Sequence, residues 1–277
     1  MAIPKHPSRR AFLGGIAAVS ALWSPLHAGS RESLDHSLEY VALPDFIDVF
    51  RTDDGGRRKT QSVASRRPSF LALDQSQTLL FAVNEIDEFE GLPTGSVESY
   101  EVEPGTGYLT LISRRPLSLS ATMPRHLAIA PDRQYLVVAA YGGGAYNVLP
   151  IHRNGELGLV TQIVKEIGCG PHPEKQAAAH PHSVRFHPTG KFLLGTDLGS
   201  DRINVFSFED GHMSRVHGIP VPAGSGPAQI TMNPIGSLVF VLHELSPLLS
   251  CYQFDAQTGS ISYLTSRNVP GGALSNY

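Results

Sequence analysis

One pattern of apolar and polar positions recurs four times along the chain. Starting at Pro68, Pro124, Pro181 and Pro227, the segments PSFLALDQSQTLLFAVNE, PRHLAIAPDRQYLVVAAY, PHSVRFHPTGKFLLGTDL and PAQITMNPIGSLVFVLHE align without a gap. In each, apolar residues alternate just after the proline (Leu71 and Leu73, Leu127 and Ile129, Val184 and Phe186, Ile230 and Met232), the period of a strand with one buried face. A turn follows, carried by Pro131-Asp132, Pro188-Thr189-Gly190 and Pro234-Ile235-Gly236. The next run is apolar at nearly every position (Leu79 to Val83, Tyr135 to Ala139, Leu238 to Leu242), as expected of a strand covered on both faces. A third strand is predicted at Ser96 to Val102, Ala145 to Ile151, Ile203 to Phe208 and Leu248 to Phe254. A glycine turn (Gly107, Gly155, Gly211, Gly259) then leads to a fourth at Tyr108 to Ile112, Glu156 to Val160, Met213 to Val216 and Ile261 to Leu264.

Four antiparallel strands per unit, repeated at intervals of 56, 57 and 46 residues, predict an all-β chain folded as a β-propeller of four-stranded blades. The longer units carry insertions at Ile86 to Thr94 and Gly168 to Ala179, on loops, where additions cost least and function gathers. Tyr40-Val41 and Ile47 to Phe50, followed by Asp53-Asp54-Gly55-Gly56, read as part of a first blade, so about five blades are expected. No closing strand follows the Gly271-Gly272 turn, and a propeller must join its last blade to its first or leave sheet faces and an edge exposed. The repeat alone leaves open a compact five-bladed ring or a longer ring of which this is a part.

The 27 glycines and 21 prolines suit many tight turns. A formal charge of −3, without a long basic run, gives no electrostatic reason to expect nucleic acid as a partner. Two cysteines, Cys169 and Cys251, exclude a disulfide framework and are expected to be free and buried. Residues 1–28 have the layout of a targeting segment. Lys5, Arg9 and Arg10 precede an apolar stretch from Ala11 to Leu22, and Leu26-His27-Ala28 resembles a cleavage site. Ser8-Arg9-Arg10-Ala11-Phe12-Leu13 carries the twin-arginine signature, so the twin-arginine export machinery is an expected partner and the periplasm or exterior the expected location. The apolar stretch is shorter than the roughly 20 residues a bilayer needs, so no membrane association is expected after cleavage. Residues 29–277 would then be the propeller domain.

In a propeller, one place in successive repeats falls on one ring around the axis. The place after each proline holds Ser69, Arg125, His182 and Ala228, and the last place of each segment holds Glu85, Tyr141, Leu198 and Glu244. Arg125, His182, Glu85 and Glu244 are thereby predicted to face one cavity at one mouth of the channel, with Tyr141 beside them. Asp197 and Arg202, in a hairpin loop, are further candidates for contacting a ligand, although such a pair more often holds its own loop together. His172, His180, His182 and His187 match no zinc spacing, so no metal and no cofactor is expected. Tyr141-Gly142-Gly143-Gly144 is followed by a strand, which excludes a dinucleotide loop and leaves a tight blade turn.

The motifs PSFLAL and AVNE, YGGG at 141–144, GPHPEKQ at 170–176, HPHSVRFHPTGKF at 180–192, DLGSDRI at 197–203 and VLHEL at 241–245 together resemble the propeller lactonase family. That family includes bacterial 6-phosphogluconolactonase and the fungal carboxy-cis,cis-muconate cyclase. The resemblance covers roughly residues 38–277 and implies a seven-bladed ring, with about two blades beyond Tyr277. It also implies a metal-independent hydrolase opening a small sugar-derived lactone, with His182 as general base and Glu244 as acid or orienting group. Imidazole suits that work near neutral pH, and Arg125 would supply positive charge for the developing oxyanion. Of two arginines that the resemblance implies as partners, one position holds Ala228 here and the other would lie beyond Tyr277. The departure at Ala228 supports a second expectation from another class, a non-catalytic periplasmic propeller that binds a ligand or protein partner.

Overall fold

Each repeat folds as an up-and-down sheet because its strands are short, alternate in polarity and are separated by turn residues that reverse the chain. The computed structural model describes residues 37–269. The expected targeting segment at 1–28 and the Gly271-Gly272 turn lie outside the described residues. The first sheet has three strands, β1 (Ser37–Ala42), β2 (Phe46–Asp53) and β3 (Gly56–Ala64). Four four-stranded sheets follow. The second comprises β4 (Pro68–Leu73), β5 (Leu79–Asn84), β6 (Ser96–Val102) and β7 (Leu109–Pro116), and the third β8 (Pro124–Ile129), β9 (Tyr135–Ala140), β10 (Ala145–Pro150) and β11 (Gln162–Lys165). The fourth comprises β12 (Pro181–Phe186), β13 (Phe192–Asp197), β14 (Arg202–Glu209) and β15 (His212–Pro220), and the fifth β16 (Pro227–Met232), β17 (Leu238–His243), β18 (Leu248–Asp255) and β19 (Ser260–Asn268). Chain neighbours pair antiparallel in every sheet, the meander of a propeller blade.

The innermost strands β4, β8, β12 and β16 stand next to one another in that order, so the proline-headed strands line the axis. Between successive sheets lie four apolar layers. Tyr100 and Ile47 fill the first, Phe81 and Leu136 the second, Tyr146 and Phe206 the third, and Val241 and Tyr252 the fourth. Strand β5 is buried at every residue. In β17 burial alternates instead: Phe240 and Leu242 are half-buried, whereas their equivalents Leu194 and Thr196 in β13 are fully buried by the fifth sheet. Among the described residues, no strand of the first sheet pairs with one of the fifth.

Two expectations need correction. The fourth strand of the third sheet does not run from Glu156 to Val160; it is the short β11 at Gln162–Lys165. Pro150 closes β10 without an N–H to offer, and Gly158 turns back to donate to its carbonyl. Leu157 drops out of the ladder into the core between the second and third sheets, with only an isolated bridge to Ile151. Pairing resumes where Thr161 N–H reaches Val148 O. The cysteines are free but not buried: Cys169 lies exposed on the inserted loop, and Cys251 is half-exposed on the uncovered side of the fifth sheet.

Candidate active site

A backbone irregularity common to all four complete sheets builds the site. Register shifts occur between Pro68 and Phe70, Pro124 and His126, Pro181 and Ser183, and Pro227 and Gln229. The residue after each proline, Ser69, Arg125, His182 or Ala228, is therefore the extra residue of a β-bulge. A bulged residue leaves the ladder and its side chain is re-aimed. Directly across, the residue that ends each repeat is pinned by one conserved type of bond. The N–H groups of Glu85, Tyr141, Leu198 and Glu244 donate to the carbonyls of Arg67, Met123, His180 and Gly226, at 2.9, 3.2, 3.0 and 2.8 Å. Bulge and pin together hold both ring positions at one end of every blade.

At that mouth the side chains form a continuous chain across four sheets, from Glu85 of the second to Glu244 of the fifth. Arg125 Nη2 lies 3.1 Å from Glu85 Oε1. The Arg125 guanidinium is 5.1 Å from the centroid of the Tyr141 ring, within cation–π range. Tyr141 stacks on His180 at 4.3 Å and meets the His182 ring edge-on at 6.0 Å. His182 Nε2 is 3.3 Å from Glu244 Oε2, and Lys175 Nζ donates to Glu244 Oε1 at 3.1 Å. Burial would raise the Glu244 carboxyl, but the bonds and charges of His182 and Lys175 outweigh it and hold it at about 2, so Glu244 is a carboxylate at neutral pH. Burial, then the Glu244 charge, pushes the Tyr141 phenol up, so it remains a hydrogen-bond donor. His182 is 6% exposed, and its Nδ1 is buried with no protein partner.

The structure thus brings Arg125, Glu85, Tyr141, His182 and Glu244 together. Ser69 is spent on the Pro124 carbonyl at 2.9 Å, and Ala228 adds no polar group. Asp197 and Arg202 keep other company. Asp197 Oδ1 accepts the N–H groups of His180, Gly199 and Ser200, and its Oδ2 the Ser200 hydroxyl, so it organises the turn. Arg202 Nη2 donates to Gly218 O at 3.2 Å. Two members were not assigned to the mouth from the sequence: Lys175, carried by the 168–179 insertion, and His180, weighed there only as a metal ligand, whose Nδ1 is 2.9 Å from Tyr141 O. Their signal lay in the motifs GPHPEKQ and HPHS, which the ring alignment does not reach.

Beneath the mouth, His126 lies against Phe70, with ring centroids 3.8 Å apart, and burial, then the charges of His182 and Arg185, holds it down to about 3. The unfolded chain binds this proton near 6.5 and the folded chain does not, so its contribution to stability is complete above about 6.5 and is lost as pH falls toward 3. His126→Gln is expected to shrink the drop in unfolding free energy between pH 6.5 and 5 by roughly 2 kcal/mol. Urea titrations of both proteins at the two pH values measure it; an unchanged drop would show that His126 is protonated in the fold.

The chain is 24% identical over 192 residues to 6-phosphogluconolactonase of Bacillus subtilis, a match covering 69% of this chain and 53% of that protein. The chain therefore spans about half the length of the curated relatives it matches. Among solved structures it is similar to the periplasmic gluconolactonase of Pseudomonas aeruginosa, with TM-score 0.73 and 27% identity over 84% of this chain and 69% of that one. A putative 6-phosphogluconolactonase of Bacteroides fragilis shares the fold, with TM-score 0.76 and 22% identity over 86% and 69% of the two chains. The model of the family described as lactonase, 7-bladed beta-propeller, matches residues 45–270, and the chain belongs to that family.

Proposed function

We propose that the protein is a lactonase that opens a small sugar-derived lactone by adding water, with His182 as general base. The observation that carries this reading is the His182–Glu244 contact at the mouth, beside the donors Arg125 and Tyr141. With Nε2–H directed to Glu244, the His182 lone pair sits on Nδ1, the nitrogen without a protein partner. Nδ1, buried from bulk solvent and without a protein partner, takes a proton from an enclosed water as that water's oxygen bonds to the lactone carbonyl carbon. Charge develops on the carbonyl oxygen, where Tyr141 and Arg125 donate. The ring C–O bond then breaks, and the departing alkoxide takes the proton back from the imidazolium, giving the open hydroxy acid. Glu244, held ionised, orients His182 and stabilises its charged form; a group titrating at about 2 has no proton to give at neutral pH, so orientation rather than acid catalysis is its role. No step calls for a metal or cofactor.

The location follows the same reading. The Ser8-Arg9-Arg10 signature and the periplasmic setting named for the Pseudomonas aeruginosa relative both support export, by the twin-arginine machinery, to the periplasm. Unphosphorylated sugar lactones are the substrates that fit there.

Ala228, 2% exposed at the fourth ring place, favours the second reading, a propeller that binds a ligand without turning it over. Proton release from glucono-1,5-lactone separates the two. Hydrolysis well above the buffer rate supports the enzyme; rates equal to buffer, for the phosphorylated lactone as well, leave the binding protein.

A further inference from the structure

The geometry points to Lys175 as the positioning residue of the site: its ammonium holds Glu244 in the one rotamer that receives His182 Nε2–H, and so fixes which nitrogen of His182 carries the lone pair. This rests on the reading of His182 as base. Glu244 has two oxygens and each has one partner from a different part of the chain, His182 on the β12 bulge and Lys175 on the insertion. Without Lys175, Oε1 is released and the carboxylate is free to turn about its terminal torsion, a broad one. Nothing else in the described cluster replaces it. Arg125 lies on Glu85, and Asp197 is consumed by the turn it organises.

An ordinary exposed ion pair contributes little because two long side chains must be ordered to make it. Here the ordering is built into the backbone. Gln176, next to Lys175, is fully buried, and its Nε2 donates to Leu198 O at 2.8 Å. Its Oε1 accepts from His172 N–H, and its own N–H donates to His172 O. His172 Nδ1 accepts the N–H of Lys175 itself at 3.2 Å. Gly199 lets the loop lie flat on the turn after β13, since a Cβ there would come within 1.8 Å of Ala178 O. A loop clamped at Leu198 and Gly199 of the fourth sheet thus delivers a cation to Glu244 of the fifth.

The test uses the whole protein with 15N-labelled histidine. Long-range proton–nitrogen correlations at mildly alkaline pH report the tautomer of each ring. His182 is expected to show Nε2 protonated and Nδ1 bare in wild type and in Lys175→Arg, and a mixture in Lys175→Met. Lys175 is partly exposed, so these variants are expected to fold. In the hydrolysis assay, Lys175→Met should lower kcat roughly ten- to a hundredfold with KM little changed, and Lys175→Arg should restore most of it. An unchanged tautomer and kcat in Lys175→Met overturns the assignment, as does Lys175→Arg failing as badly as Lys175→Met. Should no variant, nor wild type, hydrolyse a lactone, the hydrolytic reading falls, while the tautomer measurement still decides the role of Lys175.

Discussion

His182→Ala is expected to lower kcat for lactone hydrolysis by about 10²–10⁴-fold, the range associated with one general base, while KM changes little. The side chain is 6% exposed at a bulge, so alanine removes the imidazole without breaking a ladder bond. Glu244→Gln should cost less, because it keeps a hydrogen-bonding group opposite Nε2 and removes only the charge that steadies the imidazolium. Initial rates at several enzyme concentrations, corrected for the spontaneous reaction, check both. Equal rates for His182→Ala and wild type would remove His182 from the chemistry.

The largest effect on stability is expected away from the mouth, between the third and fourth sheets. Glu166, just past the end of β11, is 9% exposed and pairs with Arg215 of β15, and Asn204 Nδ2 donates to its Oε2 at 3.3 Å. Burial raises the Glu166 carboxyl and Arg215 opposes that. Arg215→Met leaves the carboxylate buried without its counter-charge, at a cost of roughly 3 kcal/mol near neutral pH. In the variant the folded-state pKa lies above the unfolded value, so the folded chain holds the proton more tightly. The destabilisation is then relieved below about 4.5 and appears as pH rises through the folded pKa. Adding Glu166→Gln should recover most of the loss, since a neutral amide tolerates the site better than a lone charge. Urea unfolding of the single and double variants at pH 4.5 and 8 measures this. A loss independent of pH, or no recovery in the double variant, would mean that Arg215 contributes through packing alone.

The blades were legible because apolar alternation and turn residues repeat, and the mouth was legible because equal places in equal repeats become neighbours around an axis. The alignment therefore found Arg125, His182, Glu85, Tyr141 and Glu244 together without any knowledge of side-chain direction. The bulge that turns His182 out of its strand leaves no mark on an apolar pattern and appears only in the pairing register. Lys175 was missed because an insertion has no counterpart in the other repeats. The fourth strand of the third sheet was misplaced because Leu157 is apolar for the sake of the neighbouring core, and an apolar residue filling a core reads like one in a strand. Burial of Cys251 was misjudged because nothing in its own sheet reveals whether another sheet covers that face. For Asp197 the sequence left both a ligand contact and a local role open, and the three N–H groups that converge on its Oδ1 show that it organises its turn.

Whether residues from four blades form one site is decided by titrating the protein with gluconate, the expected product, while following backbone and side-chain NMR signals. His182, Tyr141, Arg125 and Lys175 are expected to respond together with a single binding constant, while His187, near the opposite end of β12, stays still. A response confined to the outer strands, or His182 and Arg125 saturating at different concentrations, would contradict a single site.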